Sequence, residues 1–276
     1  MYPKKVQHCN LQKGWMDKMS NRNNIEIIRK SFGKQASNFD STSYHLSKSE
    51  YQDYMIEKVN PHKNDKILEV AAGTCICGRA FARHSAYVTC LDATSEMLEI
   101  GKKEARAEHL DNMMFVKGVA EELPFLDDSF DIVISRLAFH HFVNPESIFS
   151  EMKRVLKPYG KLVIMDMTMQ NEDLRIHVDD IERMRDFSHV KNLTIKEMSD
   201  LYANQNMELS FQEQIEVPVD LEKWMELTYT PESKRDEIRR LINSDLEGIE
   251  KTGFYPYSED GRIKFNHHWV LNIGEK

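Results

Sequence analysis

Apolar residues recur at helical spacing near the start of the chain and then change to short continuous runs. Ile25, Ile28 and Phe32 lie three to four residues apart, which predicts an amphipathic helix that ends near Gly33. A polar and aromatic segment follows it and leads into a second helix that begins near residue 49. From residue 66 onward, apolar runs of strand length alternate with amphipathic stretches of helical length, which is typical of an α/β fold.

Five short apolar runs predict five successive strands in the middle of the chain. Their sequences are KILEV, AYVTCLD, MMFVKG, FDIVISRL and KLVIMDM, and the last of them ends at Met167. A helix between the second and third strands begins at Thr94 or Ser95, and the helix before the fifth begins at Asn144 with Pro145 in its first turn. Strands that are apolar throughout predict a parallel sheet covered by helices on both faces.

The pattern changes after Met167. Two helices are predicted at about 172–187 and 194–204, followed by a strand within MELSFQEQIEVPV. Two further helices are predicted around LEKWMELT and ESKRDEIRRLINSDL, and the chain ends in a strand within GRIKFNHHWVLNIGEK. The complete prediction is a Rossmann-like, doubly wound, mostly parallel sheet of seven strands, with helical additions at the N-terminus and after the fifth strand.

Composition and charge narrow the class of protein. The 276 residues carry a formal net charge of −8 and are 41% hydrophobic, an acidic balance that argues against nucleic acid as a partner. No apolar run reaches the roughly 18 residues of a membrane span, so no membrane association is expected. The N-terminus lacks the apolar core of a secretory signal. Cys9, Cys75, Cys77 and Cys90 lack zinc-site spacing, so free thiols and a cytoplasmic location are expected.

The loop after the first predicted strand suggests a nucleotide cofactor. In the stretch ILEVAAGTCICGRAF, the three positions of a G-x-G-x-x-G motif hold Ala71, Gly73 and Ile76. Asp92 ends the second strand, at a spacing from Gly73 that suits a carboxylate accepting from ribose hydroxyls. A dinucleotide needs a glycine at the third position for helix packing, and Ile76 argues against one and so against a nucleotide-dependent oxidoreductase. S-adenosyl-L-methionine has no phosphate, so it fits this loop better.

Several ordered motifs resemble those of class I S-adenosylmethionine-dependent methyltransferases. They are ILEVAAGTC, CLDATSEMLEIGKK, GVAEELPFLDDSFDIVISRLAFHHF and FSEMKRVLKPYGKLVIMDM. The chain is most similar to the branch that contains the ubiquinone and menaquinone C-methyltransferases and the malonyl-carrier-protein methyltransferase. The resemblance implies S-adenosyl-L-methionine as the cofactor. It also implies three parts after a flexible basic tail (1–24): an N-terminal lid (25–65), a cofactor-binding core (66–167), and a helical insert with a terminal strand pair (168–276). The last three are expected to form one domain, 25–276.

The resemblance also assigns residues to the cofactor. Departures from the family pattern occur at Ala71 and Cys75, where glycine is usual, and at Val119, where Asp or Asn is usual. One hypothesis places the side chain of Cys75 against the methionine end and that of Cys77 away from it, and the alternative is a Cys75 buried between helix and sheet. The implied cofactor-binding residues are Phe39 in the lid, Ala71, Gly73 and Thr74 at the methionine end, Asp92 at the ribose, Ala93, Met97, Val119 and Ala120 around the adenine, and Ser135 beside the cofactor.

The candidate catalytic residues follow the fourth and fifth strands. His140 or His141, in AFHHF, could act as a general base, and Asp166 is a second candidate. No carboxylate and histidine cluster has metal-ligand spacing, so no metal is expected. The segment RMRDFSHV is predicted to be helical and to face either the pocket or solvent, and the adjacent histidines of the last strand are weak candidates.

These residues predict methyl transfer from S-adenosylmethionine to a small-molecule acceptor by in-line displacement, with deprotonation by histidine as an added option. The alternative is a non-catalytic protein, or degenerate paralogue, that binds S-adenosylmethionine or S-adenosylhomocysteine. The sequence carries no prediction of the oligomeric state.

Overall fold

A computed structural model describes residues 22–36, 38–39 and 48–276. Most of the predicted tail (1–24), together with Cys9, lies outside the described residues. The described residues form one mixed sheet in the order β3-β2-β1-β4-β5-β8-β6, with β7 paired to β8. The strands are β1 (Lys66–Val70), β2 (Tyr87–Asp92), β3 (Met113–Lys117), β4 (Phe130–Arg136), β5 (Leu156–Met167), β6 (Glu208–Asp220), β7 (Tyr257–Glu259) and β8 (Arg262–Glu275).

The sheet is parallel from β3 to β5 and antiparallel beyond it. The first five strands pair in parallel, and β8 runs antiparallel between β5 and β6. This arrangement confirms the predicted doubly wound, mostly parallel α/β sheet. The short strand β7 pairs with the start of β8 and was not predicted, because three residues are too few to show a hydrophobic period.

The helices of the described residues cover both faces of the sheet. Alternate residues of β1 separate the two cores: Leu68 and Val70 belong to the cluster with α5 and α7, and Ile67 to the cluster with α2 and α3. The helices are α1 (22–36), α2 (Ser49–Val59), α3 (Ile76–Ala82), α4 (Ser95–Ala107), α5 (Pro145–Val155), α6 (Arg175–Arg185), α7 (Ile195–Ala203), α8 (Leu221–Leu227) and α9 (Glu232–Leu246).

Two helices have boundaries that differ from the sequence prediction. Helix α1 includes residues 22–24, which the sequence places in the tail, and it continues through Gly33 to residue 36. A single glycine costs a helix only about 1 kcal/mol relative to alanine, so it does not have to end one. Helix α6 ends at Arg185, so Asp186 and His189 lie in the loop after the helix rather than on it.

A third apolar cluster places the insert beside the sheet. Side chains from α6, α8 and α9 pack around Trp224, which is fully buried, together with Phe265 of β8. This cluster fixes the C-terminal end of α6 beside the carboxyl ends of β4 and β5. In the part of the chain that the structure describes, no helix is long and apolar enough to cross a lipid bilayer.

Candidate active site

A pocket of about 1050 Å³, open to solvent, lies at the carboxyl ends of β1, β2, β4 and β5. Helix α1 closes one side of it with Ile28 and Phe32, and the end of α6 contributes Arg185. This is the edge at which open parallel sheets bind their ligands. Six predicted cofactor residues line the pocket: Phe39, Ala71, Gly73, Thr74, Asp92 and Met97.

The backbone of the loop after β1 explains the family's glycines. Ala71, Gly73 and Cys75 have φ angles of 55°, 54° and 59°, so all three adopt the left-handed conformation. Glycine reaches this region without the Cβ clash that other residues meet. These positions therefore favour glycine for a conformational reason, apart from the helix packing that the third glycine of a dinucleotide loop permits. Ala71 and Cys75 keep the same loop shape with local backbone strain.

Asp92 ties this loop to the second strand. One carboxylate oxygen accepts a hydrogen bond from the Gly73 N–H at 2.8 Å, and the other accepts from the Thr94 N–H at 2.7 Å. Burial raises the pKa of Asp92 even though these amide donors act to lower it. Asp92 lines the pocket, so its carboxylate is placed to accept from a ribose hydroxyl.

The other predicted cofactor residues lie outside the lining of the pocket. Ala93 accepts a hydrogen bond at its backbone oxygen from Arg29 of α1 at 3.0 Å. Ala120 is buried, and Val119 forms an isolated antiparallel bridge with Glu122. Ser135 is 1% exposed, and its hydroxyl has no hydrogen-bond partner within the described residues. Their assignment to the cofactor stays a prediction of the sequence.

The side chains of two cysteines have the reverse of their expected positions. Cys75 is fully buried and packs beside Gly101, where an added Cβ would lie 2.7 Å from its sulfur. Cys77, expected to lie away from the cofactor, lines the pocket instead. The left-handed backbone of Cys75 points its side chain toward α4, an orientation that sequence spacing does not reveal. The expectation that Cys75 lies against the cofactor is therefore wrong.

Glu69 is a buried acid of the pocket that sequence reasoning missed. Its carboxylate accepts a hydrogen bond from the Gly78 N–H at 2.8 Å, and burial raises its pKa to about 7. A Cβ at Gly78 would lie 2.6 Å from this carboxylate, so the close approach of helix to strand occurs at Gly78. Ile76, expected to obstruct that packing, lines the pocket instead. An acid within an otherwise apolar strand was the available signal.

His140 and Asp166, which the sequence suggests as separate candidates, form a pair. The Nδ1 atom of His140 lies 2.6 Å from Asp166 Oδ1, while Asp166 Oδ2 accepts from the N–H groups of Ala138 and Phe139. Burial would raise the pKa of Asp166, but His140 and the amide donors lower it overall. Asp166 is 1% exposed and is not part of the pocket lining, whereas His140 is. Asp166 can therefore orient His140 but has no open path to a substrate.

His141 also lines the pocket but is a weaker base. Its Nδ1 lies 3.0 Å from the Ser188 carbonyl oxygen, so this nitrogen carries the proton. Burial lowers the pKa of His141, and the neighbouring His140, whose ring centroid lies 4.1 Å away, lowers it further. The ring also meets Phe32 of α1 edge to face at 5.0 Å. His141 is therefore neutral near pH 7 and packs under the lid.

Helix α1 is fastened over the pocket by a buried carboxylate. Asp186 accepts hydrogen bonds from Ser31 at 2.9 Å and Gln35 at 3.2 Å, which lie one turn apart on α1. It also accepts from the hydroxyl of Ser188 at 2.6 Å. The segment RMRDFSHV thus faces the pocket, and Asp186 connects the insert to the N-terminal helix. This contact holds α1 beside the pocket, and the role of residues 25–65 as a lid stays a prediction.

Arg185, Glu182 and His267 form a second polar group at the pocket. Arg185 and His267 line the pocket, and Glu182 lies behind them, 1% exposed. His267 Nε2 lies 3.6 Å from Glu182 Oε1, and burial lowers the pKa of His267. His267 is only a weak candidate from the sequence, because one of two adjacent strand residues must point away from the core. His268 is the one that does, with a ring nitrogen 3.2 Å from Gln214.

Comparisons with known proteins agree with this geometry. Residues 68–164 match the family model described as "Methyltransferase domain". The chain is 28% identical over 224 residues to the uncharacterized methyltransferase YcgJ of Bacillus subtilis (strain 168), covering 80% of this chain and 88% of YcgJ. The crystal structure of YcgJ superposes with a TM-score of 0.76 at 26% identity, covering 83% of this chain and 99% of that one.

Two further relatives extend the comparison. The uncharacterized protein YafE of Escherichia coli (strain K12) is 32% identical over 181 residues, or 65% of this chain and 86% of YafE. The ubiquinone/menaquinone biosynthesis C-methyltransferase UbiE of Ruegeria sp. (strain TM1040) is 32% identical over 126 residues, which are 45% of this chain and 50% of UbiE. The chain therefore belongs to the class I S-adenosylmethionine-dependent methyltransferases, and it resembles UbiE over about half of the length of UbiE.

The site fits the cofactor of this family. A carboxylate at the end of β2 suits the ribose hydroxyls of S-adenosylmethionine, and Asp92 supplies one beside the left-handed loop 71–75. When bound, it supplies an electrophilic methyl group on a sulfonium. Among the described residues, no group of histidine, cysteine and carboxylate side chains could hold a metal ion.

Proposed function

We propose that this methyltransferase acts on a small-molecule acceptor and that His140 is its general base. The proposal rests mainly on the pairing of His140 with Asp166. Because the carboxylate accepts from Nδ1–H, the lone pair of Nε2 remains available to take a proton from the acceptor. Asp166 is held by several backbone amides, so the ring orientation is fixed before the acceptor binds.

The shape of the pocket supports a small acceptor. The space beside the cofactor loop is enclosed by α1, which the Asp186 contacts hold in place, and by the ends of α6 and α8. The pocket remains open to solvent on one side, and a concave space of this size suits a small molecule that enters through the opening. The chain's negative charge also disfavours nucleic acid as the acceptor. The free, buried thiols of Cys75, Cys77 and Cys90 support a reducing, cytoplasmic location.

The test uses S-adenosylmethionine labelled on its methyl group. The protein is incubated with it and with either a small-molecule extract or a dialysed macromolecular fraction from the same cells. We expect label in the small-molecule products, and none with Asp92→Ala, because the ribose loses its carboxylate and the loop loses its contact with Gly73. The exposed Asp111→Asn variant is the matched control. Transfer only to the macromolecular fraction would reject the small-molecule proposal.

A further inference from the structure

Arg185 is held rigidly at the edge of the pocket. Its Nε donates to Glu182 at 3.1 Å, and its guanidinium carbon lies 4.7 Å from the centre of the Trp224 ring. Its backbone oxygen accepts hydrogen bonds from the hydroxyls of Thr228 and Thr230 at 3.2 and 3.1 Å. With only 9% of the side chain exposed, the guanidinium has one well-defined position.

Among the described residues, no group accepts a hydrogen bond from the two terminal nitrogens of Arg185. Within residues 22–36, 38–39 and 48–276, Nε makes the only hydrogen bond from this side chain, and Arg185 lines the pocket. Because Arg185 lines the pocket, its terminal N–H groups are placed to donate to a molecule bound there. We infer that these nitrogens bind an oxygen atom of the methyl acceptor, which makes Arg185 a residue that determines substrate specificity. This inference rests on the methyl transfer proposed above.

The charges around Arg185 indicate what kind of oxygen it binds. Burial would raise the pKa of both Glu182 and Asp186, but Arg185 helps to lower both, so both carboxylates are ionised. Two negative charges therefore already offset one guanidinium. A carboxylate on the acceptor would add a third negative charge in a buried site, where like charges repel strongly. The structure thus favours a neutral carbonyl or hydroxyl oxygen.

The remaining walls indicate the body of the acceptor. Ile28, Phe32 and Phe39 from the lid, Met167 from β5 and Leu227 from α8 line the same pocket. Apolar walls of this kind bind an apolar body, while a few fixed polar groups orient it. The acceptor class is therefore a neutral, mainly apolar molecule that carries a carbonyl or hydroxyl oxygen. Arg185 would also stabilise negative charge that develops on that oxygen when His140 removes a proton.

Three small probes of similar shape test this inference: acetophenone, ethylbenzene and benzoate. Their dissociation constants are measured by ligand-observed NMR with the protein saturated with S-adenosylhomocysteine. For the wild type we expect acetophenone to bind about tenfold more tightly than ethylbenzene, because a charged donor meets its oxygen. In Arg185→Met, the ratio of the two dissociation constants should fall close to the value that the hydrophobicity of the two probes alone would give. Equal preference in both proteins, or no preference in the wild type, would overturn the inference.

Two further variants control the experiment. Arg183→Met changes an arginine of the same helix whose side chain is 43% exposed and pairs with Asp180, so the preference should be unchanged. Because Arg185→Met leaves Glu182 buried without its partner, that variant could be unstable. The double variant Glu182→Gln with Arg185→Met removes the unpaired charge, and it should also lose the preference. Retention of the preference in the double variant would exclude Arg185 as the binding group.

The choice of oxygen and the proposed reaction are tested separately. Benzoate should bind the wild type more weakly than acetophenone, and tighter binding of benzoate would overturn the assignment of a neutral oxygen. None of these measurements depends on turnover. A protein that binds S-adenosylhomocysteine and prefers acetophenone, yet labels no small-molecule product, would contradict the proposed function and leave the role of Arg185 standing.

Discussion

The imidazole of His140 and the carboxylate of Asp166 are paired at 2.6 Å in the interior of the protein, and only the histidine reaches the pocket. The sequence gives no reason to pair them, because 26 residues separate them. The parallel pairing of β4 and β5 brings the segment after β4 beside the end of β5. In this arrangement Asp166 orients the imidazole ring of His140, and His140 is available to accept a proton.

Replacing His140 with Asn should therefore lower turnover by roughly 10²–10⁴-fold, the usual contribution of a general base. Binding of S-adenosylhomocysteine should change little, because the cofactor loop is untouched. His141→Asn should reduce turnover much less, since His141 Nδ1 is bound to Ser188 and burial lowers its pKa. Formation of S-adenosylhomocysteine with a productive acceptor, and its affinity by calorimetry, are the two measurements. Equal losses in the two variants would contradict the assignment of the base.

The left-handed backbone at Ala71 predicts a stabilising substitution. Ala71→Gly should raise the free energy of unfolding by about 0.5–1 kcal/mol, because relief of the Cβ clash exceeds the added chain entropy. The neighbouring Ala72 does not share the positive φ, so Ala72→Gly should lower stability by about the same amount. Urea unfolding of both variants makes the comparison. A destabilised Ala71→Gly variant would show that the loop carries no such strain.

The apolar periodicity of this sequence predicts the sheet well, because each strand of the parallel part is long enough to show its burial. The periodicity does not predict a side-chain direction that depends on the local backbone conformation. Cys77 lies at the pocket and Cys75 does not, because the backbone of Cys75 has a left-handed conformation. His267 was undervalued because alternation says that one of two neighbours is buried but does not say which.

Other residues of the site come together only through tertiary packing. Arg185 belongs to the pocket because the Trp224 cluster places the end of α6 against the sheet, a contact between segments distant in sequence. Asp186 binds α1 although about 150 residues separate them in the sequence, and hydrophobic periodicity does not predict contacts between such distant segments. Glu69 was detectable in principle as a charge in a buried strand, but its partner Gly78 becomes evident only once helix and strand are packed.

The buried carboxyl of Glu69 predicts how stability depends on pH. Burial raises its pKa from an ordinary value of 4.5 to about 7. Between these pH values the folded protein holds a proton that the unfolded chain has released. Stability therefore falls as pH rises from about 5 to 8, by up to about 3 kcal/mol from this group.

Glu69→Gln removes this titration while keeping an acceptor for the Gly78 N–H. Relative to the wild type, the variant should become more stable as pH rises from 5 to 8, as measured by urea unfolding at each pH. Glu99→Gln, at an exposed position of α4, serves as the control and should show no such trend. If the difference in the free energy of unfolding between Glu69→Gln and the wild type stays constant across this pH range, the pKa of Glu69 is not raised by folding.

The thiols offer a direct test of where the cofactor lies. All three thiols are buried, but Cys77 lines the pocket, whereas Cys75 and Cys90 lie outside its lining. Burial raises the pKa of Cys77, so we expect slow reaction with methyl methanethiosulfonate at pH 7 and faster reaction at pH 9. S-adenosylhomocysteine should slow the labelling of Cys77 by a factor at least ten times larger than the factor for Cys75 or Cys90.

Mass spectrometry of the separate peptides distinguishes local protection from general stabilisation. Cys75 and Cys90 react only when the protein opens, so they report how far the ligand slows opening. Any additional protection of Cys77 reports contact with the occupied pocket. If Cys75 gained more protection than Cys77, the thiol against the cofactor would be the one that the sequence suggested, and the left-handed turn at Cys75 would have to point its side chain the other way.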